Sequence, residues 1–470
     1  MTSVEQSLKP PRNSVILVIR ALLIRAAAVG MLLWVAAFNG YPIVFSDTGS
    51  YIVPGRWPYR APGYSVFTRL TSMGISGWFI VVAQAIIVVY VLDETCEYLI
   101  GSKQRYRELS LPATVSLLAA YTSLPWLVSL LMPDVFAGIV FLCSFLLIFN
   151  DQLRLKNRMA VIAILMIATG SHSSLLPIAA AFVTVLILVR FISGQLGTAA
   201  LRKVVLVSIV APLVAVGLGT ATLNYGLGQG FKYSPSGRLF LLSRLFADGL
   251  ASDYLHDNCP EQPLIACRYL SSLPLTQTEF LFRNHPLLNA LEGHEDEIDA
   301  IVHGTLFGYK RRFITSSIKA TFVQLAALRT GDEVRSYAAR TWNSAVIEHV
   351  FHRDFPAFQQ SRESRNHLLP LADAGASIDT VAFWLSVIVC VVFAWTNRRG
   401  RRNDFFYSAL LFLLINAAVC ATFSGVYDRY QSRVAWLGPL CLAMYVCSLM
   451  CSSSEACETS LAPGPTCFPS

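Results

Sequence analysis

Long apolar stretches separated by short polar ones run along most of the chain. They lie at about 15–38, 77–98, 111–131, 133–149, 158–171, 173–191, 203–223, 380–396, 404–423 and 434–451, without alternation of period two. Continuous runs of this kind cross a bilayer as helices, whereas barrel strands alternate. The pattern predicts an all-α polytopic membrane protein with about ten transmembrane helices. The first run, Val15 to Phe38, reads as a retained span, because no small-residue cleavage site ends it. The expected organisation is an N-terminal transmembrane module over 1–223, with a first outer loop at 39–76, and a large extracytoplasmic loop subdomain over 224–379. A C-terminal transmembrane module at 380–451 and a disordered cytoplasmic tail at 452–470 complete it. Within the large loop, helix-like stretches fall at about 276–290, 295–328 and 335–352, and 308–325 has the character of a helix lying along the membrane surface.

Basic residues set the sides. Lys103, Arg105 and Arg107 follow the second run; Arg154, Lys156 and Arg158 follow the fourth. Arg190, Arg202 and Lys203 separate the sixth and seventh, and Asn397–Arg402 (NRRGRR) separates the eighth and ninth. With a cytoplasmic N-terminus all of these face the cytoplasm, as the positive-inside bias requires. That parity holds only if Gly170–Ser174 (GSHSS) breaks 159–191 into a hairpin of two short spans; a single span would invert everything downstream.

Composition agrees with this class. Of 470 residues, 54% are hydrophobic and 14% charged, with a mean hydropathy of +0.52. A soluble chain carries nearly twice that charge. The formal net charge of +8 then reports orientation and is no sign of a nucleic-acid partner. Most of the eleven cysteines, such as Cys143, Cys390, Cys420, Cys441 and Cys447, sit in or beside apolar runs as small buried residues. Cys259 and Cys267 lie in a polar segment on the outer side and read as a disulfide, with two free thiols the alternative. No cysteine and histidine spacing resembles a zinc site.

Once the sides are assigned, several polar motifs fall on the outer one. Asp47 sits in SDTGSY at the end of the first span, either as a functional acid or as an N-cap for a helix beginning near Thr48. Pro54–Leu70 interleaves arginines with Trp57, Tyr59 and Tyr64, which suits phosphate and sugar or simply an interfacial anchor. Asp134 follows Pro133 at a tight turn, where it would act on substrate or cap the fourth span. His172 lies in the GSHSS break, facing substrate or satisfying the hairpin backbone. Arg429 and Arg433 stand one helical turn apart at the start of the last span, suited to a substrate phosphate or to lipid phosphate. Structural polar residues would be shared between the two sides. A one-sided gathering of carboxylates, histidine and arginines points to an active site at the outer interface.

An acid in the first outer loop, the segment Arg60-Ala61-Pro62-Gly63-Tyr64, an acid at the second outer turn and the pair Arg429-Tyr430 together resemble the GT-C superfamily. These are integral-membrane glycosyltransferases related to protein mannosyltransferases and aminoarabinose transferases. The resemblance covers about 15–240 and 400–450. It implies transfer of a sugar from a polyprenyl-phosphate-linked donor to an acceptor such as a glycolipid, polysaccharide or protein. Asp47 and Asp134 would be catalytic, Asp47 as general base, and Arg60, Tyr64, His172, Arg429, Tyr430 and Arg433 would bind substrate. Family members often carry an acidic pair in the first loop where this chain has one acid. A divalent cation is therefore admitted but not required. The expected setting is a bacterial inner membrane with the large loop periplasmic. The competing readings are a multi-span transporter or flippase, and another outer-face transferase of O-antigen-ligase or acyltransferase type.

Overall fold

Apolar helices that cannot hydrogen-bond outward close their backbone bonds within themselves and bury side chains against each other. The N-terminal part does this through α1 (Arg12–Leu32), α2 (Trp34–Asn39), α3 (Thr48–Ile52), α4 (Pro62–Ser72), α5 (Trp78–Ile100), α6 (Gln104–Tyr121) and α7 (Leu124–Ser129), then α8 (Phe136–Phe149), α9 (Leu155–Ser171), α10 (Leu175–Ile192) and α11 (Ala199–Gly226). The computed structural model describes residues 12–53, 60–101, 104–193, 199–283, 285–331, 334–338, 341–396 and 400–460, and these contain no strand. Residues 54–59 and 397–399, parts of two segments singled out above, lie outside that set, as do Lys103 and the tail after 460.

Six stretches among the described residues are long and apolar enough to cross a membrane. They are α5, α10, Leu206–Gly226 of α11, α20 (Leu369–Thr396), α21 (Arg401–Phe423) and Asp428–Met450, which joins α22 (Asp428–Ala435) to α23 (Leu437–Ser460). They expose apolar residues outward, among them Ile86, Leu188, Leu218, Leu385 and Ile388. Long apolar helices with such faces mark a membrane protein. Of the other four runs expected, the first forms α1, whose opening residues lie outside the side chains described, and three are shorter than a span. The run at 111–131 breaks at Tyr121, and α9 begins among Lys156 and Arg158. Helix α8 is buried on every side from Phe136 to Ile148, packed by α5, α9, α10, α11 and α21. A helix apolar all round is a core helix or a span enclosed by its neighbours, and α8 lies at the centre of this bundle. At the far end, the span expected from 380 starts at Leu369, and α23 continues to Ser460 through residues expected to be disordered from 452. Extending a formed helix adds one hydrogen bond per ordered residue, which favours that continuation.

The GSHSS break is a helix break: α9 stops at Ser171 and α10 starts at Leu175. Three of the basic residues expected to share one side, Arg158, Arg190 and Arg401, reach backbone carbonyls at the ends of α5 and α8. Arg190 donates to the Ile148 carbonyl at 2.7 Å and lies over the Phe149 ring, Arg158 reaches the Asn150 carbonyl at 3.5 Å, and Arg401 reaches that of Tyr98 at 3.4 Å.

The large loop divides in two. Helices α12 (Gly237–Ala247), α13 (Leu250–Asn258), α14 (Gln277–Phe282), α15 (Pro286–Leu291) and α16 (Glu295–Gly308) build a core of their own around Phe246, Phe280 and Ile301. Cys259 and Cys267 form a disulfide within it. Helix α17 (Lys310–Ala326) then packs along α21, exposing Ile314, Ile318 and Phe322 beside Arg311, Arg312 and Lys319. Beyond it, α18 (Trp342–Val350) and α19 (Phe355–Gln360) send Ile347 and Phe358 into the core of the bundle, joined there by Phe351 just past α18.

Candidate functional site

The SDTGSY loop is fixed from three directions before any of its side chains reaches outward. Gly40, at φ +88°, ends α2 and turns the chain into an extended stretch. Ile43 there pairs with the segment after α7, its N–H meeting the Ser129 carbonyl at 2.8 Å and its carbonyl the Leu131 N–H at 3.0 Å. Val44 donates to Glu363 at 3.0 Å. Asn343 then clamps the turn, donating to the Phe45 carbonyl at 2.8 Å and accepting from the Gly49 N–H at 2.7 Å. Asp47 occupies the position before α3, yet its side chain makes no capping bond. The capping alternative therefore fails, and the carboxylate turns to two arginines instead.

Those arginines make an alternating chain of charge: Arg60, Asp47, Arg429, Asp134. Asp47 accepts from Arg60 on one oxygen and from Arg429 Nη1 at 2.9 Å on the other. Arg429 uses Nε and Nη2, at 2.9 and 3.0 Å, to grip both oxygens of Asp134, which is 2% exposed. This fork is the strong, orientation-fixing form of the interaction. Burial pushes the Asp47 carboxyl up, but Arg60 and Arg429 outweigh it and hold the group below its ordinary value.

The Arg60–Tyr64 segment serves this chain in parts. Arg60 faces Asp47 and lies over the Tyr51 ring. Pro62 opens α4, where its missing N–H costs nothing. Gly63 meets the Gly170 backbone so closely that a Cβ would fall 2.1 Å from the Gly170 oxygen. Tyr64 is fully buried and donates to Gln84 at 2.8 Å, and Gln84 in turn holds the Val128 and Leu130 carbonyls. Of the motif, Arg60 alone lines the cavity described next; Tyr64 supports the framework rather than touching it.

A cavity of about 360 Å³ opens above the charge chain, within the range of ligand sites. The bundle supplies Asp47, Arg60, His172, Arg429 and Tyr430, and the loop subdomain supplies Phe240, Gln277, Thr278 and Phe282. His172 accepts from the Ser174 N–H on Nδ1 at 3.1 Å; burial, then Arg433, Arg429 and Arg60, keep the imidazole neutral by lowering its pKa. Asp134 does not reach this cavity and acts as the anchor of Arg429. Arg433 lies beneath the floor, fully buried. Its Nη2 donates to Ser174, Asn416 and Cys420 at 3.0–3.3 Å, none of them charged, and its Nε and Nη1 have no partner among the described residues. Arg335 and Asn343, which no sequence motif singles out, also belong here: Arg335 on the wall and Asn343 under the Asp47 turn. Arg335 sits in a loop segment and Asn343 in the first turn of α18, and only tertiary contacts reveal a role for either.

A divalent cation would have to evict a guanidinium from Asp47 or Asp134, since arginine occupies both acids. Among the described residues no other group of acids, histidines and cysteines gathers to hold one. No step below passes through a metal. Compared with family models, with curated proteins and with solved structures, the chain matches none.

Proposed function

We propose that the protein is a membrane glycosyltransferase that moves a sugar from a polyprenyl-phosphate-linked donor to an acceptor at the end of the bundle bearing this cavity. The observation that carries the reading is an imbalance of charge. Among the described residues the two carboxylates, Asp47 and Asp134, stand against three largely buried guanidiniums, Arg60 and Arg429 at the cavity and Arg433 beneath it. Buried charge demands a partner, and a phosphate entering from the membrane surface would provide it. Apolar wall residues Phe45, Phe240 and Phe282 leave room beside the charges for a sugar and the start of a lipid chain.

In the reaction an acceptor oxygen attacks the anomeric carbon while the bond from that carbon to the donor phosphate oxygen breaks. The bonding pair leaves on the phosphate, where Arg60 and Arg429 stabilise it. The acceptor proton passes to Asp47, the carboxylate on the cavity wall. The test is transfer of radiolabelled sugar from a polyprenyl-phosphate donor by the purified protein. Asp47→Asn is expected to lower the rate by about 10²–10⁴, the usual value of a general base. Full activity in a normally inserted variant would sink the mechanism.

A further inference from the structure

In the resting structure the base is not available. Both oxygens of Asp47 are taken, by Arg60 and by Arg429, and a carboxylate so held is a poor proton acceptor. We propose that Asp47 is a guarded base, an extension of the transferase reading above. A phosphate bound in the cavity takes Arg60 and the Nη1 of Arg429 from it, and only the released carboxylate accepts the acceptor proton.

Three features favour exchange over a rigid, permanent salt bridge. The arginines are the fixed members. Arg429 is locked in register by the two bonds to Asp134 and by the Phe45 ring 4.6 Å beneath it, so it presents Nη1 to the cavity whichever anion it meets. Arg60 rests over the Tyr51 ring, and its buried Nε has no partner among the described residues, leaving a donor that a tetrahedral anion can use but the single Asp47 contact does not. Asp47 is the member able to turn. Asn343 holds its neighbours by the backbone while its own side chain makes no capping bond, so rotation of the carboxylate disturbs no part of α3.

The exchange also keeps both arginines paired. A phosphate replaces the carboxylate at the same two cations, so no guanidinium is stranded, and the cost of breaking the pairs falls on the freed Asp47, which a proton relieves. Once freed, Asp47 loses the two cations that depress its pKa while burial continues to raise it. Donor binding would thus create the base, and a cavity without donor would hold only a weak one. An acceptor, or water, arriving first would find no group ready to take its proton.

The exchange makes an unusual demand, because removing an anionic side chain from an anion site should tighten binding rather than weaken it. The experiment measures binding of two probes, a polyprenyl monophosphate and inorganic pyrophosphate, to the full chain in nanodiscs. Wild type is compared with Asp47→Asn, Asp47→Ala and Arg60→Gln, each first checked for wild-type thermal unfolding. Both Asp47 variants are expected to bind at least tenfold more tightly, and Arg60→Gln at least tenfold more weakly. Tightening with pyrophosphate alone would support the exchange but give the anion a soluble source. If wild type binds and the Asp47 variants bind equally or more weakly, the exchange is wrong while the phosphate-donor reading stands. If neither wild type nor the Asp47 variants bind either probe, both are overturned.

Discussion

Arg429 and Asp134 are joined by two parallel hydrogen bonds at 2.9 and 3.0 Å, and this fork decides where the third nitrogen of Arg429 points. Asp134 is 2% exposed, so deleting it strands the guanidinium in a dry place. Asp134→Ala is expected to cost about 3–5 kcal/mol of stability, the usual price of halving a buried pair. Thermal unfolding in detergent reads it. A loss below about 1 kcal/mol would mean that Asp47 alone suffices to hold Arg429.

Gly63→Ala should be damaging even though it adds one methyl group. The added carbon would meet backbone rather than a side chain, at 2.1 Å from the Gly170 oxygen, and backbone cannot rotate away. Overpacking of this kind costs about 1–3 kcal/mol. Because Gly170 lies two residues before His172, the change is expected to lower transfer activity as well as the unfolding temperature. Gly74→Ala, in open space but at φ +70°, would separate backbone strain from this collision.

Glu363 gives a pH dependence with a definite sign. It is 1% exposed; one oxygen accepts from the Val44 N–H at 3.0 Å and the other has no partner among the described residues. Burial raises its pKa well above the ordinary 4.5, and the Val44 bond only partly opposes that. The folded protein therefore holds this proton more tightly than the unfolded chain. Its contribution is complete below pH 4.5 and is lost as pH rises through the folded value. Glu363→Gln should flatten that alkaline decline in a pH series of unfolding measurements. An unchanged slope would contradict this placement.

The Cys259–Cys267 disulfide closes a short loop in the smaller core. Replacing both cysteines by serine is expected to cost about 2–3 kcal/mol there, from the chain entropy such a loop restores to the unfolded state. Hydrogen exchange should show the loss in α13 and its neighbours, while α8, in the other core, stays as protected as before. Equal deprotection of α8 would show that the two cores unfold together.

Much of the charge chain was legible in the sequence because sidedness alone narrows where rare polar residues can meet. Asp47, Asp134, Arg60 and Arg429 sit in distant segments, yet counting turns between apolar runs places them together. Tyr64 was misread as a substrate contact for a local reason. Successive residues at the start of a helix point in different directions, so a short motif need not face one site. The burial of Arg433 was equally hidden, since its one-turn spacing from Arg429 fixes a shared face but not its depth. Apolarity alone does not separate a span facing lipid from a helix enclosed by others: α8 is apolar on every side and is surrounded by five or more helices.

The cavity is walled from two bodies that pack their cores separately. Every charged group on it belongs to the bundle or to the segment returning to it, and the second core contributes two phenylalanines, a glutamine and a threonine. On the proposed reading, bond-making and molecular choice fall to different pieces of chain. Phe240, Gln277, Thr278 and Phe282 form a replaceable faceplate, through which new acceptors could be selected by drift or by design while the electrostatic engine behind it stays untouched.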